Sequence, residues 1–287
     1  MSDILVVGGA GGVGFEVVRK LIERGDTVVT TVLNQNEANR VTSAFGHKVV
    51  IHEVDLGDAD AALLKFRDIV SSMKQLSGVA VCAAISRNSP VELAPLAEFR
   101  KMLEVNCIAD IAIFKAAMPA LRQSKGTMVM ISSVSGKIGM PMVGGYTTSK
   151  FALEGVADVM RREAAEQGVK ISIVAPGGIR TPMIVEQIEA DKKRLAALSE
   201  EDRQRYGHFY ERFSVVAGGS LETTAAEPAD VADVVLKALD ATDPETRYPG
   251  GKDAEQMLEM LKNMSDREFD AVVAQMFSRS ASAGWAE

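Results

Sequence analysis

Short runs of apolar, largely β-branched residues recur along the chain. They alternate with longer segments in which apolar positions return every three or four residues. The runs are "ILVVG" (4–8), "TVVTTVL" (27–33), "KVVIHEV" (48–54), "GVAVCAA" (78–84), "GTMVMISS" (126–133) and "VKISIVA" (169–175), with a last short one near 245–249. Helical patterns lie near 13–24, 36–45, 59–75, 95–123 and 147–167. Continuously apolar strands are covered on both faces, and their alternation with helices implies parallel pairing through crossovers. The pattern predicts an α/β fold: one doubly wound parallel sheet with helices on both faces. Gly25, Gly46, Gly78, Gly126 and Gly168 fall at the helix-to-strand turns, where glycine takes a left-handed cap at little cost. Two stretches break the alternation, a long excursion at 183–224 and a helical tail at 253–277. No internal repeat is present, so residues 1–287 read as a single unit.

Composition narrows the class. With 32 basic and 39 acidic residues the net charge is −7, which leaves no excess of cations to neutralise nucleic-acid phosphates or an anionic membrane. Two cysteines (Cys82, Cys107) and three scattered histidines supply neither a disulfide framework nor a metal site. Both cysteines read as small buried apolar residues. The start of the chain runs directly into "DILVVGG", with no basic leader and no apolar stretch long enough to cross a bilayer. A soluble, reduced, cytoplasmic protein is expected.

The first strand ends in "VVGGAGGVGFE", with Gly8, Gly12 and Gly14 leading into the first helix. Glycines there let the backbone turn sharply and approach a pyrophosphate, whose charge sits at the helix N-terminus. A bare strand-to-helix turn is the bland alternative. "VDLGD" puts Asp55 after the third strand, where a carboxylate accepts from an adenine amino group or caps a helix.

Two tyrosines precede a lysine by four residues, Tyr146/Lys150 and Tyr248/Lys252. The first pair opens a helical pattern (Ala152, Val156, Val159, Met160, Ala164), so its side chains share one face. The second encloses Pro249, Gly250 and Gly251, a turn that confers no such alignment. A tyrosine of pKa about 10 needs roughly 4 kcal/mol of charge stabilisation to drop three units, and a nearby ammonium supplies part of that.

Gly8/Gly12/Gly14, "ISSVSG" (131–136), Tyr146-x-x-x-Lys150 and "APGGIRTPM" (175–183), in this order and spacing, resemble the short-chain dehydrogenase/reductase family. The resemblance implies a Rossmann-type fold, hydride transfer with NAD or NADP, and a catalytic set of Asn106, Ser133, Tyr146 and Lys150. In it Tyr146 exchanges the proton and Lys150 lowers its pKa and binds the nicotinamide ribose. Ser133 polarises the substrate oxygen, and Asn106 organises a relay water. It also sets Val13, Asn34, Asp55, Leu56, Ala83, Ala84, Pro176, Gly177, Ile179 and Thr181 along the cofactor, with Thr181 at the nicotinamide carboxamide. By the same analogy the helices at 95–123 and 147–167 pair between subunits in a homodimer or homotetramer. Singly, Ser133 reads as a turn residue, Asn106 as a helix-packing polar group and Lys150 as a solvated side chain. Their coincidence favours the catalytic reading.

Two departures stand out. Val7 replaces the usual threonine before the first glycine, removing one structural hydrogen bond, and "CAAI" (82–85) replaces Asn-Asn-Ala-Gly. "TTVLNQN" (30–36) carries neither the acid that selects NAD nor the arginine that selects NADP. Asn34 suits either cofactor, and Arg40 lies further along the next helix.

Residues 183–224 carry a stripe of Ile184, Ile188, Leu195 and Leu198, then Tyr206, Phe209, Tyr210 and Phe213. The stripe reads equally as docked surface helices and as a lid over an apolar pocket. "GMPMVGG" (139–145) supports the lid: Met140, Met142 and Val143, with Met183 opposite, make an adaptable apolar lining. The expected substrate is a bulky, apolar secondary alcohol or ketone of steroid, retinoid or aromatic type. The lid and tail loosely resemble the hydroxysteroid and retinol dehydrogenase branch. Lys192, Lys193 and Arg194 suggest a 3-oxoacyl-carrier-protein-type reductase instead, though Asp191, Glu200, Glu201 and Asp202 dilute that patch. A non-catalytic, cofactor-binding regulator on the same fold is the reading from another class; keeping all four catalytic positions argues against it. The tail carries a capping box, Ser265 to Glu268, and an apolar side.

Overall fold

The computed structural model describes residues 2–280; the ends of the 1–287 unit lie outside the described residues. Seven parallel strands form one sheet in the order β3-β2-β1-β4-β5-β6-β7. They are β1 (Asp3–Val7), β2 (Thr27–Val32), β3 (Val49–Glu53), β4 (Leu76–Val81), β5 (Thr127–Ile131), β6 (Lys170–Ala175) and β7 (Arg247–Pro249). Each coincides with an expected run to within a few residues. Alternation within β1 shows why both faces must be covered. Leu5 and Val7 enter the core on one side and Ile4 and Val6 the core on the other, all 4 % exposed or less.

On the first side lie α3 (Ala59–Ser72), α5 (Ala109–Ser124) and α6 (Gly144–Ala165). On the second lie α1 (Gly12–Arg24), α2 (Gln35–Phe45) and α9 (Pro228–Asp240). The expected helix over 95–123 is three pieces: α4 (Leu96–Leu103), a π-turn (Glu104–Ile108) and α5. The excursion is two helices, α7 (Pro182–Ala197) and α8 (Glu200–Thr223), and the tail is α10 (Lys252–Asn263) and α11 (Asp266–Met276). The Ser265–Glu268 capping box is formed.

Three readings are corrected. Helix α9 was not anticipated, although Pro228 at its first turn and Val231, Ala232, Val235 and Ala238 on one face are an ordinary helix signature. Gly78 is not in a turn but inside β4, where a β-carbon would lie 2.9 Å from Ile4 Cδ1 and 3.0 Å from Leu239 Cδ2. At the end of α5 the left-handed residue is Lys125 (φ 55°), not Gly126. Gly25, Gly46 and Gly168 do take positive φ.

Candidate active site

Four loops leave the C-terminal edges of β1, β4, β5 and β6 and meet where the strand order reverses between β1 and β4, the position at which open α/β sheets place ligands. The first is the glycine loop. Gly8 has φ +84°, and a β-carbon there would lie 2.8 Å from Ala83 Cβ. At Gly14 it would lie 2.2 Å from the Gly8 carbonyl oxygen, and at Gly12 2.6 Å from Thr181 Cγ2. Thus the loop packs directly on the "CAAI" segment and on the 175–183 loop. The N-terminus of α1 has no side-chain cap, which leaves its first backbone N–H groups without a side-chain acceptor. This donor set fits a dinucleotide pyrophosphate. The hydrogen bond expected to be lost at Val7 has a substitute: Gly8 N donates to the Thr31 carbonyl (3.1 Å) and Thr31 Oγ1 (3.3 Å).

Other expected cofactor residues are placed unevenly. The Val13 and Leu56 side chains are buried in the two cores. Asn34 Oδ1 caps α2 by accepting from Glu37 N (3.1 Å), and Asp55 Oδ1 accepts from Gly57 N (2.8 Å), so both acceptors are engaged locally. Ala83 and Ala84 stay half-buried beside the glycine loop. The Pro176 carbonyl holds Val134 N, Ile179 bridges Ala226, and Thr181 is the N-cap of α7. Arg40 stacks on Phe15, on the first turn of α1, at 5.0 Å.

Ser133, Tyr146, Lys150 and Asn106 converge. Tyr146 sits in the first turn of α6, half-buried, with its hydroxyl near enough to Ser133, just after β5, for the serine to lower its pKa. Lys150 is buried; its Nζ donates to the Ile131 carbonyl (2.8 Å) and stands 5.7 Å from the centroid of the Tyr146 ring. Asn106 lies in the π-turn, an irregularity frequent at functional sites. Its Oδ1 accepts from Ile85 N (2.8 Å), and its Nδ2 donates to Ile85 O (2.8 Å) and Ser149 Oγ (3.0 Å). The segment that departs from the family pattern is therefore clipped by its backbone, which any side chain at 85 permits.

Electrostatics show what the expected lowering of the Tyr146 pKa must work against. Burial pushes the Tyr146 hydroxyl up to about 12, with only Ser133 pulling it back. Burial also pulls Lys150 down, opposed first by the charge of Asp110. In the chain alone, desolvation outweighs any help Lys150 gives the phenolate. Tyr248 is a structural residue: it is buried in β7 and its hydroxyl accepts from Glu245 N (2.9 Å).

The expected apolar lining is divided. Met140 packs in a small core with Val134, Ile138, Ala254, Met257, Leu258, Leu261 and Phe269, so the tail covers this flank. Met142 and Val143 are buried in a strap: Met142 takes φ 76°, its carbonyl accepts from Ser89 N (2.7 Å), and Val143 bridges Ser89. Met183 is exposed at the start of α7. The apolar stripe of α7 is only half-buried, and the buried residue at its centre is Asp191, which accepts from Asn88 Nδ2 (2.7 Å). Sequence reasoning missed this polar seam because "SRNSP" reads as an ordinary loop. It also missed Asp253, whose Oδ2 accepts from Gly178 N (2.7 Å) and ties the tail to the 175–183 loop. Within the Lys192–Arg194 patch, Lys192 pairs with Glu189 (2.6 Å) and Arg194 with Glu98 (2.9 Å). Among the described residues no cluster could hold a metal ion and no helix is long and apolar enough to cross a membrane.

Comparison with known proteins agrees with this geometry. Residues 2–192 match the model of the short chain dehydrogenase family. The chain is 31% identical over 276 residues to a 3-amino-tetrahydro-pyrrolizinone reductase of Xenorhabdus hominickii, covering 94% of this chain and 93% of that one. It is also 31% identical to the human 11-beta-hydroxysteroid dehydrogenase type 2, over 87% of this chain and 64% of that protein. Solved structures of the same fold include a short-chain dehydrogenase from Streptomyces avermitilis (TM-score 0.75, 19% identity, 98% of each chain). Another, from Burkholderia cenocepacia in complex with NADP, has a TM-score of 0.72 at 21% identity and covers 96% of this chain and 97% of that one. The chain belongs to the short-chain dehydrogenase family, as an oxidoreductase that works with NAD or NADP.

Proposed function

We propose that the protein interconverts a secondary alcohol and a ketone on a bulky, largely apolar substrate, with Tyr146 as the acid/base. The observation that carries this is the gathering of Ser133, Tyr146 and the buried Lys150, whose Nζ stands 5.7 Å from the Tyr146 ring centroid, on the side of the sheet that carries the glycine cradle. In oxidation the carbinol carbon gives up a hydride, the hydroxyl proton passes to Tyr146 Oη, and the C–O bond becomes C=O. Reduction reverses each transfer. NAD or NADP, when bound, supplies the hydride acceptor or donor. Ser133 donates to the substrate oxygen as its charge changes, and the Lys150 charge below the ring favours the phenolate. Asn106 keeps the β4 loop in place.

Helices α7 and α8 act as the lid, and the tail closes the flank at Met140. The relatives named for hydroxysteroid chemistry support a bulky substrate, while the Asn88–Asp191 seam adds a polar element to its surroundings. The pairing of Lys192 and Arg194 within the chain leaves little of the patch that an acidic carrier would need. The chain also forms a homodimer or homotetramer through α6, whose outer face exposes Phe151 (46 %) and Val159 (48 %).

The test is reduced-nicotinamide absorbance with NAD and with NADP over a panel of apolar secondary alcohols and ketones, comparing wild type with Tyr146→Phe. Loss of proton transfer should lower kcat by about 10²–10⁴ with the fold intact. Equal turnover by the two proteins would remove Tyr146 from the mechanism. Cofactor binding without turnover on any substrate would favour the regulator.

A further inference from the structure

One helical turn beyond Asn106, α5 carries Asp110. It is 2 % exposed, and its Oδ1 has no hydrogen-bond partner. The Asn106 Nδ2–Ser149 Oγ hydrogen bond (3.0 Å) sets this stretch against α6 at the residue before Lys150, and the titratable groups around it come from three places. Helix α6 contributes Lys150 and, one turn on, Glu154; the π-turn contributes Cys107; the segment after β4 contributes Cys82. Helix α3, packed on the same helix, brings apolar side chains, among them Ala62, Phe66 and Ile69. Glu154 also has one oxygen, Oε1, without a hydrogen-bond partner, but its charge is already shared with Arg247 (2.6 Å) and Lys137 (3.2 Å) through Oε2, whereas among the described residues Asp110 has no other cation. Among the described residues the hydrogen bond of Lys150 Nζ goes to a neutral carbonyl, that of Ile131.

We propose that Asp110 is a positioning residue for the reaction: its buried carboxylate is the counter-ion that keeps the Lys150 ammonium charged, and through Lys150 it sets the pH at which Tyr146 exchanges its proton. This rests on the reading of Tyr146 as the acid/base.

The electrostatics run in that direction. Burial pulls the Lys150 ammonium down, and among the charges holding it up Asp110 is the largest. Burial pushes the Asp110 carboxyl up to about 7, with Lys150 pulling it back, so above neutrality the carboxylate carries its charge. The two thiols are pushed up to about 12 and about 11, first by burial and then by the Asp110 charge. They stay neutral and do not compete for the role. Without the carboxylate the lysine releases its proton at lower pH. A neutral amine then stands over the Tyr146 ring, and the phenolate loses its support.

The experiment titrates Lys150 in the cofactor-free protein by its ¹⁵Nζ resonance, assigned by its disappearance in Lys150→Met. Wild type is compared with Asp110→Asn, and with Asp110→Ser should the asparagine variant not fold. The uncharged variants should show a Lys150 midpoint lower by about one pH unit or more. Asp110→Glu, which keeps the charge, should stay near wild type. In parallel, the rising limb of kcat/KM against pH for alcohol oxidation should move up in Asp110→Asn. An unchanged Lys150 midpoint overturns the proposal. So does a limb that moves down, as removal of an anion would produce if Lys150 stayed charged throughout. A shifted Lys150 in a protein that turns over nothing would keep the counter-ion and discard the dehydrogenase reading instead.

Discussion

Asp191 is a carboxylate buried where an apolar stripe would be expected. Burial pushes it up to about 6, against the opposing hydrogen bond from Asn88 and the charge of Arg194. Its folded-state value thus lies above the ordinary one near 4. Between those two values the unfolded chain has released the proton and the folded chain still holds it. Stability from this residue is therefore present at low pH and is lost as pH rises to about 6, by roughly 3 kcal/mol in all. Asp191→Asn has no charge to desolvate and its amide oxygen can still accept from Asn88. Relative to wild type, it should gain a few degrees in Tm between pH 4.5 and 7.5. A constant difference across that range would mean the carboxyl is solvated in solution. Such residues were invisible to the sequence reading, because an aspartate among Lys192, Lys193 and Arg194 looks like part of a solvated face. The glycines were the opposite case: at Gly8 and Gly14 the backbone allows nothing larger, and their spacing stated the requirement directly.

At the level of elements, the tail is joined to the site by one residue as well as by apolar packing. Asp253, on the first turn of α10, accepts from Gly178 N, and a β-carbon at Gly177 would lie 2.1 Å from the same carboxylate oxygen. Asp253→Ala leaves that amide without its acceptor, at about 1–3 kcal/mol. Because the loop carries Thr181, cofactor Kd measured by calorimetry should rise several-fold. A lower Tm with unchanged Kd would confine Asp253 to a scaffolding role. Legibility differed by element for physical reasons. Strands β1 to β6 were readable because burial on both faces leaves no choice but apolar runs. The π-turn was not, since one extra residue in a turn hardly disturbs the apolar period that runs from Phe99 to Leu121. Helix α9 has a strong pattern of its own, with Pro228 at its start and Val231, Ala232, Val235 and Ala238 on one face.

At the scale of the whole molecule, α6 presents Phe151 and Val159 to solvent although its other side is packed into the core. A pair of such faces meeting across a two-fold axis would cover them on both copies. Phe151→Glu combined with Val159→Glu should convert a dimer or tetramer into smaller species in light scattering. A wild type that is already monomeric would dismiss the interface. The sheet class followed from the alternation of apolar runs with helical patterns, whereas the covering of the candidate site by tail and polar seam depends on contacts between residues more than 70 positions apart, such as Asn88 with Asp191 and Gly178 with Asp253.

The packing of α9 against α1 also has a temporal side. The helix that follows the glycine loop leaves the ribosome well before a main partner of its buried face, residues 228–240, and β7 closes the sheet edge later still. During synthesis Val13, Val17 and Leu21 must wait for more than two hundred further residues before that cover arrives. Contacts so distant in sequence close slowly and leave apolar surface exposed meanwhile. The half of the molecule whose sequence is easiest to read is thus among the last to become native, and nascent chains are most exposed to aggregation just before α9 emerges.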